Sequence, residues 1–198
     1  GVAMSPRLSK TLKPITLSLM FLTLVGCPLP AGNIVLFKDK ALESAVRAEL
    51  GQPFLILTQS DVNKLYRLDA RNLNIESLDG LQYCVNLTWL NLENNQVSDL
   101  GPLENLTNLK TLILDSNDVT DISPLSGLLN LDMLSLFNNE VGDIQALVTN
   151  ANNGGLGPGD QVILDIRKLS ERALTVDVPT LITTYGVNVI LVTEESST

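Results

Sequence analysis

The sequence predicts an α/β solenoid in which short parallel strands stack from one coil to the next. A pattern of residues recurs with a period of 22 in three copies that begin at Leu87, Leu109 and Leu131. Leu, Ile or Val occupies positions 1, 4, 6, 11, 14 and 17 of every copy, and Asn occupies position 9. A fixed period of this length is typical of repeat proteins whose units share one continuous core.

The spacing within each copy has a direct physical meaning. A segment of the form LxxLxL places its apolar residues on one face of a strand, and a single coil is too short to bury that face alone. The coils must therefore stack, which is the leucine-rich repeat arrangement. The Asn side chain carries both a donor and an acceptor for the backbone groups at the turn after the strand. We therefore expect a structural ladder, rather than a ligand site, at Asn95, Asn117 and Asn139.

The N-terminal segment has the features of a secretion signal. Met4 opens a short cationic stretch, and an apolar run over residues 15–26 follows it. About a dozen residues are too few for a spanning helix, which needs roughly 20. The run ends in LVGC, which resembles the bacterial lipobox. We predict that residues 1–26 are a lipoprotein signal peptide, that Cys27 is acylated and that residues 27–36 are a tether; the alternative is a secretion signal cut elsewhere, with Cys27 incidental.

The charge of the remaining chain excludes some partners. Three of the 13 basic residues lie in the predicted signal peptide, which leaves 10 against 22 acidic residues and a formal charge near −12. Nucleic-acid binding requires basic clusters, and the sequence has none. Acidic lipid headgroups would repel such a chain, so the acyl group would have to supply the membrane attachment. Cys84 falls at an apolar position of the repeat, which predicts a buried residue and no disulfide.

A helical cap is predicted over residues 37–64, before the repeats. Asp39 is a suitable N-cap for a helix with one apolar stripe, and Gly51 follows at its end. Thr58 and Asp61 have the spacing of a second, short helix that ends near Leu65, where the first coil begins.

The C-terminal part begins with an interruption of the repeats. The repeats are predicted over residues 65–169, with a Gly-rich loop at 151–160 that implies an insertion of six residues. Residues 170–198 are predicted to form the C-terminal cap and tail. Ser170 can cap a helix that Pro179 kinks or divides, and a buried strand follows it. One face of that helix would carry Leu174, Val178, Leu181, Ile182 and Tyr185.

With the repeats and both ends described, the chain resembles the bacterial internalin-like leucine-rich repeat proteins. Their motif, N-x-[IV]-x-D-[IL]-x-x-L, is present at residues 95–103, 117–125 and 139–147, and the resemblance extends over residues 37–192. It implies a non-enzymatic surface or secreted binding protein. In place of cell-wall sorting residues, this chain carries the predicted lipid at Cys27.

Catalysis is not predicted. The chain has no His, which removes Ser-His-Asp and Cys-His nucleophile systems and the usual zinc sites. The spacing of the carboxylates singles out no catalytic pair, so we predict no catalytic residue, no cofactor and no resident metal. Asp99, Asp121 and Asp143 recur at position 13 and would lie in a row, which could hold Ca²⁺. We favour the alternative that each Asp caps a helical turn on the convex side.

The concave face is the predicted binding surface, because the strand residues at positions 3, 5 and 7 of each coil point away from the core. Solvent-facing positions are expected to be polar, yet this face collects Trp89, Ile113, Met133 and Phe137, with Ile163 beside them. An apolar cluster of this kind marks an interaction surface; the alternative is that the side chains only pack across neighbouring strands. Its predicted acidic rim, which would suit a basic partner, consists of Glu93, Asp115 and Asp165.

These observations predict a protein- or peptide-binding module at the extracytoplasmic side of a bacterial membrane. A monomer is favoured over a homo-oligomer, and the outer membrane over the inner one if the cell has two. The alternative is a structural or self-associating scaffold of the envelope, in which the apolar cluster is buried between copies.

Overall fold

The repeats form a single parallel sheet. The computed structural model describes residues 33–53 and 56–193; the predicted signal peptide, Cys27 and the first part of the tether lie outside them. The order of the strands in the sheet is their order in the chain. The six strands are β1 Arg67–Asp69, β2 Trp89–Asn91, β3 Thr111–Ile113, β4 Met133–Ser135, β5 Gln161–Asp165 and β6 Asn188–Val192. This topology confirms the predicted α/β leucine-rich repeat solenoid.

The register of the sheet stacks equivalent repeat positions on one another. Leu68, Leu90, Leu112, Leu134 and Val162 are Cα partners on successive strands, and all five are buried. Successive side chains of a strand point to opposite faces of the sheet. The residues next to these buried positions along each strand therefore form the concave surface. The inner residues join one apolar core that runs the length of the solenoid.

A capped helix closes the N-terminal end of the core. Helix α1, Lys40–Leu50, begins after Asp39, whose Oδ1 accepts hydrogen bonds from the N–H groups of Ala41 (2.8 Å) and Leu42 (3.1 Å). It ends at Gly51, whose φ of 63° lies in the left-handed region that favours glycine. Both ends of α1 agree with the sequence prediction.

The cap begins earlier than the sequence indicates. Residues 33–36 were assigned to the tether, yet Val35 is buried and its N–H donates to the Leu57 carbonyl at 2.9 Å. The second helix, α2, is a single turn over Gln59–Val62, so it ends before the predicted end near Leu65. The apolar residues at 35 and 37 explain the earlier start, because the segment packs against the core that α1 and the first coil build.

The convex side is built from short helical elements, one in each coil. The first three are 3₁₀ helices and the fourth is an α-helix. They span Leu81–Tyr83, Gly101–Leu103, Ser123–Gly127 and, for helix α3, Gln145–Asn152. Because α3 includes residues 151 and 152, the loop predicted at 151–160 begins two residues later. The insertion thus lengthens the convex element of the fourth coil.

Asn150 fastens this insertion to the preceding coil. Its Nδ2 donates to the carbonyls of Leu125 (3.2 Å) and Leu128 (3.0 Å), and its Oδ1 accepts from the N–H of Leu156 (2.8 Å). A Cβ at Gly155 would lie 2.1 Å from that Oδ1. The Gly at 155 is therefore required by the close approach of the loop to a fully buried carboxamide.

The C-terminal cap contains a π-helical segment. Ser170 Oγ accepts from the N–H of Ala173 at 3.1 Å, and the chain then forms a π-helix over Ala173–Asp177 and helix α4 over Val178–Thr183. Proline has no N–H and crowds the carbonyl one turn earlier, which agrees with the wider turn before Pro179. Ile182 is 46% exposed, so its predicted place on the buried face is wrong.

Strand β6 pairs in parallel with β5 and lies at the edge of the sheet. It was predicted to be buried, but Leu191 is 37% exposed because no strand covers its outer side in the part of the chain that the structure describes. Within residues 33–53 and 56–193, no helix has the length and apolar composition needed to cross a bilayer.

Candidate binding surface

Buried Asn side chains set the spacing of the strands beneath the concave surface. Asn117 Nδ2 donates to the carbonyls of Leu92 (2.8 Å) and Leu114 (3.0 Å), and its Oδ1 accepts from the N–H of Val97 (2.9 Å). Two of these three partners belong to the preceding coil. Asn95 and Asn139 make the equivalent bonds one coil earlier and one coil later. The ladder therefore ties each coil to its neighbour at the point where the strand ends.

A second row of polar residues lies beside the ladder, at position 8 of the repeat. Its four residues have a φ between 54° and 59°, which is the left-handed conformation that Asn tolerates best among residues other than Gly. They are Asn72, Asn94, Ser116 and Asn138. Two side-chain bonds connect the row, from Asn94 Nδ2 to Asn72 Oδ1 at 2.7 Å and from Asn138 Nδ2 to Ser116 Oγ at 3.1 Å. The recurrence of Asn or Ser at position 8 is the sequence signal for this turn, and the sequence reasoning missed it.

Half-buried apolar residues form a patch on the C-terminal half of the concave face. Ile113, Ser135, Ile163 and Ile190 are Cα partners across β3 to β6, and the small Ser135 is buried between its neighbours. Met133 and Phe137 lie at positions 3 and 7 of the same coil as Ser135. We call the following half-buried side chains the concave patch: Ile113, Met133, Phe137, Ile163 and Ile190.

Ile190 was not among the predicted site residues, because β6 was interpreted as a buried closing strand. The register shows that it continues the outward row of Ile113 and Ile163. The signal was the alternation in VNVILV, in which every second residue must face outward.

Trp89 lies two strands away from Met133 of the concave patch. In the register, Thr111 stands between Trp89 and Met133, so the two lie about 10 Å apart across two strand spacings. The guanidinium carbon of Arg67 instead lies over the indole ring, 3.3 Å from its centroid. The predicted centre of four residues is therefore divided into Trp89 with its cation–π partner and an apolar group around β4.

Asp165 does not present a free carboxylate. It is 4% exposed and accepts hydrogen bonds from the backbone N–H of Arg167 (3.0 Å), from its Nε (2.9 Å) and from its Nη2 (2.5 Å). The bond from the Arg167 side chain is the main cause that lowers the pKa of Asp165. The prediction that Asp165 contributes to an acidic rim is therefore wrong. The physical reason is that Arg167, at the Asn position of the repeat, turns back onto this carboxylate.

Asp115 joins two coils beneath the concave patch. Its Oδ1 accepts from Ser135 Oγ and from the backbone N–H of Phe137, the latter at 2.9 Å. Burial raises the pKa of Asp115 and so does the nearby charge of Glu93, while the two hydrogen bonds act in the opposite direction. Asp115 thus positions the chain that carries Phe137. The rim role of Glu93 stays a prediction.

The Asp residues of the convex side act as local caps. The Oδ1 atoms of Asp99, Asp121 and Asp143 each accept an N–H from two residues further along, at 2.8 Å in all three cases. The backbone bond from Ser123 is the main cause that lowers the pKa of Asp121. Residues 33–53 and 56–193 contain no group of three or more His, Cys, Asp or Glu side chains arranged to hold a metal ion.

The thiol of Cys84 is buried in the core, and that burial raises its pKa to about 12. A thiol in this state is inert as a nucleophile.

Known proteins with the same repeat support this description. A family model for leucine-rich repeats in two copies matches residues 85–119 and 107–149. The internalin InlF of Listeria monocytogenes is 27% identical, covering 67% of this chain and 44% of its own, with a TM-score of 0.60. Internalin C2 of the same species is 26% identical, covering 82% and 71%, with a TM-score of 0.66.

The functional domain of InlJ from Listeria monocytogenes shares the fold, at 24% identity, with 72% of this chain and 30% of that chain covered and a TM-score of 0.59. The chain spans less than half the length of the InlF chain that it matches. Its repeats and its fold are thus similar to those of the internalin leucine-rich repeat proteins.

Proposed function

We propose that the protein binds another protein or a peptide with the concave patch and catalyses no reaction. The observation that carries this proposal is the row of Ile113, Ile163 and Ile190 at outward positions of the sheet, with the buried Ser135 between Ile113 and Ile163. Outward positions of a sheet with one solvated face are normally polar. An apolar patch at these positions supports a surface that a partner covers.

The arrangement of the concave patch supports recognition through apolar contacts. A partner side chain placed over the patch would contact Ile113 and Ile163 along the solenoid, and Met133 and Phe137 beside them. Apolar anchors contribute most of the affinity of protein interfaces. The other end of the concave face is polar, because Arg67 covers Trp89 and Arg71 pairs with Asp69 at 2.9 Å.

Capture experiments with matched variants test this proposal. The chain and its Ile163→Ser variant, immobilised in parallel, are exposed to extracts of envelope proteins and to a peptide library. Leu129→Ser is the control, because Leu129 is an exposed apolar residue away from the sheet. We expect partners that the wild type and the Leu129→Ser variant retain and the Ile163→Ser variant loses. Equal capture by all three chains would contradict the proposal.

We further propose that the protein is held at the extracytoplasmic side of a bacterial membrane by a lipid on Cys27, in the outer membrane where the cell has two. The LVGC sequence supports this anchoring. Five residues lie between Cys27 and Asn33, so even an extended link spans only about 20 Å. We expect the intact mass to show an acylated Cys27 at the N-terminus, and Cys27→Ala to release the protein from membranes. An unmodified N-terminus beyond residue 27 would contradict the anchoring.

The second candidate function is a self-associating scaffold in which the concave patch is buried between copies. Ile190 favours it, because this residue extends the apolar surface onto the edge strand β6. Sedimentation of the chain from Cys27 onward distinguishes the two functions. A monomer supports partner binding, whereas a stable dimer that Ile163→Ser dissociates favours the scaffold.

A further inference from the structure

The segment that enters the N-terminal cap is apolar on both of its sides. Val35 and Phe37 point into the core and are buried, while Ile34 and Leu36 point outward and are 41% and 64% exposed. Tyr83, which is 43% exposed, lines the same shallow cleft of about 320 Å³. We call Ile34, Leu36 and Tyr83 the cap ridge. An extended segment with one face in water would be expected to alternate apolar and polar residues, so the outward side needs an explanation.

The cap ridge is held firmly by the fold. Ile34 pairs with Thr58 in an antiparallel bridge, and the N–H of Lys38 donates to the Asp79 carbonyl at 3.2 Å. A Cβ at Gly80 would lie 2.5 Å from the ring of Phe37, so the segment packs closely on the first coil. The ridge is therefore a surface of defined geometry next to the start of the described chain.

Charge distinguishes the cap from the repeats. Residues 33–66 carry four basic and four acidic residues, whereas residues 67–198 carry six basic and 18 acidic residues. The cap thus has no net charge, and the net negative charge of the chain after Cys27 lies entirely in the repeats and the C-terminal end. At the ridge itself, Lys38 and Asp79 form an ion pair of 3.5 Å. The cap is the part of the molecule that an anionic membrane surface would not repel.

We infer that the cap ridge contacts the interface of the phospholipid bilayer. Leu and Ile side chains would enter the boundary between headgroups and acyl chains, and Tyr suits this region because its ring is apolar and its hydroxyl is polar. Three side chains bind a membrane weakly on their own, but a link of about 20 Å keeps them at a high effective concentration. The location of this contact rests on the proposed lipid at Cys27. Its consequence is a fixed orientation of the concave patch relative to the membrane.

The test imposes the anchor chemically, so that its outcome does not depend on acylation in the cell. A chain from Cys27 to Thr198 retains the core described here, whose residues lie between Val35 and Val187. Because Cys84 is buried, a maleimide phospholipid in phosphatidylcholine vesicles couples selectively to Cys27. In a Trp89→Phe background, Leu36→Trp places the only Trp on the ridge, and brominated acyl chains quench a Trp that enters the bilayer. We expect at least twofold stronger quenching than for the control below.

The control is Ala48→Trp, which places the probe at an exposed site of α1 in the same cap, without a change of charge. A second variant, Ile34→Ser with Tyr83→Ser in the Leu36→Trp chain, separates apolar contact from simple closeness to the tether. We expect it to lower the quenching to the level of the control. Equal quenching of both probes, or quenching that survives the second variant, would overturn the inference. So would a dimer of the uncoupled chain that Leu36→Ser dissociates, because the ridge would then belong to a second copy.

Discussion

The guanidinium carbon of Arg67 lies 3.3 Å from the centroid of the Trp89 ring, which joins the outward faces of β1 and β2. The sequence predicts Trp89 as one of four members of the binding centre, but an indole covered by a cation is partly withdrawn from any partner. The pair therefore divides the concave face into a polar N-terminal half and an apolar C-terminal half.

We expect Arg67→Ala and Trp89→Ala to be coupled in a double-mutant cycle. A partly exposed cation–π pair contributes about 0.5 to 1 kcal/mol, which the cycle would recover as an interaction energy in urea denaturation. The matched control is the cycle of Arg71→Ala with Trp89→Ala, because Arg71 pairs with Asp69 instead. Equal coupling energies in the two cycles would exclude a specific contact between Arg67 and Trp89.

Asn117→Ala should lower the free energy of unfolding by about 1 to 3 kcal/mol, because it leaves the N–H of Val97 buried without its acceptor and removes one of the two Asn donors from the carbonyls of Leu92 and Leu114. Chemical denaturation measures the loss. Asn130→Ala serves as the control, since Asn130 is exposed and donates one bond, to the Thr107 carbonyl. If both variants had the same denaturation midpoint, the ladder would not contribute as described.

Asp121→Ala should cost about 1 kcal/mol through the loss of its bonds to Ser123. Because we assign this Asp to capping, we expect the melting temperature of the wild type to be independent of calcium. Asp118→Ala, at an exposed position of the same coil, is the control. A rise in melting temperature with calcium that Asp121→Ala abolishes would instead assign the Asp row to a cation.

The sequence predicts the fold well because its signals are local and repeated. The apolar positions, the Asn ladder and the cap at Asp39 each follow from spacing within a few residues. The interactions that the sequence did not predict connect residues of different coils or replace a repeat residue: Arg67 over Trp89, Asp115 under Phe137, and Arg167 on Asp165. Such contacts depend on which side chains the register places side by side. A repeat pattern predicts the register of the strands. It does not predict the side-chain conformations of residues that depart from the pattern.

Asp115→Asn should stabilise the protein at neutral pH. The folded state raises the pKa of Asp115, so its carboxyl favours folding when protonated, and this contribution is lost as the pH rises through the raised pKa. The amide keeps an acceptor oxygen for Ser135 and for the N–H of Phe137, without a buried charge. We expect a higher urea midpoint than for the wild type at pH 7 and a smaller difference near pH 4. A lower midpoint for Asp115→Asn at pH 7 would contradict this account.

Phe137→Ala should weaken binding of a captured partner by about 2 kcal/mol, roughly thirtyfold in Kd, because this ring is the aromatic side chain of the concave patch. Trp89→Ala should have a smaller effect, since Arg67 covers its ring. Charge reversal at Glu93 should slow association with a basic partner and weaken its dependence on salt. Asp115 is unsuitable for that test because it holds the backbone of Phe137. Titration calorimetry and urea denaturation, measured on the same variants, separate binding from folding. If Phe137→Ala lowered the free energy of unfolding by several kcal/mol, the ring would be part of the packing and the concave patch would lose its proposed role.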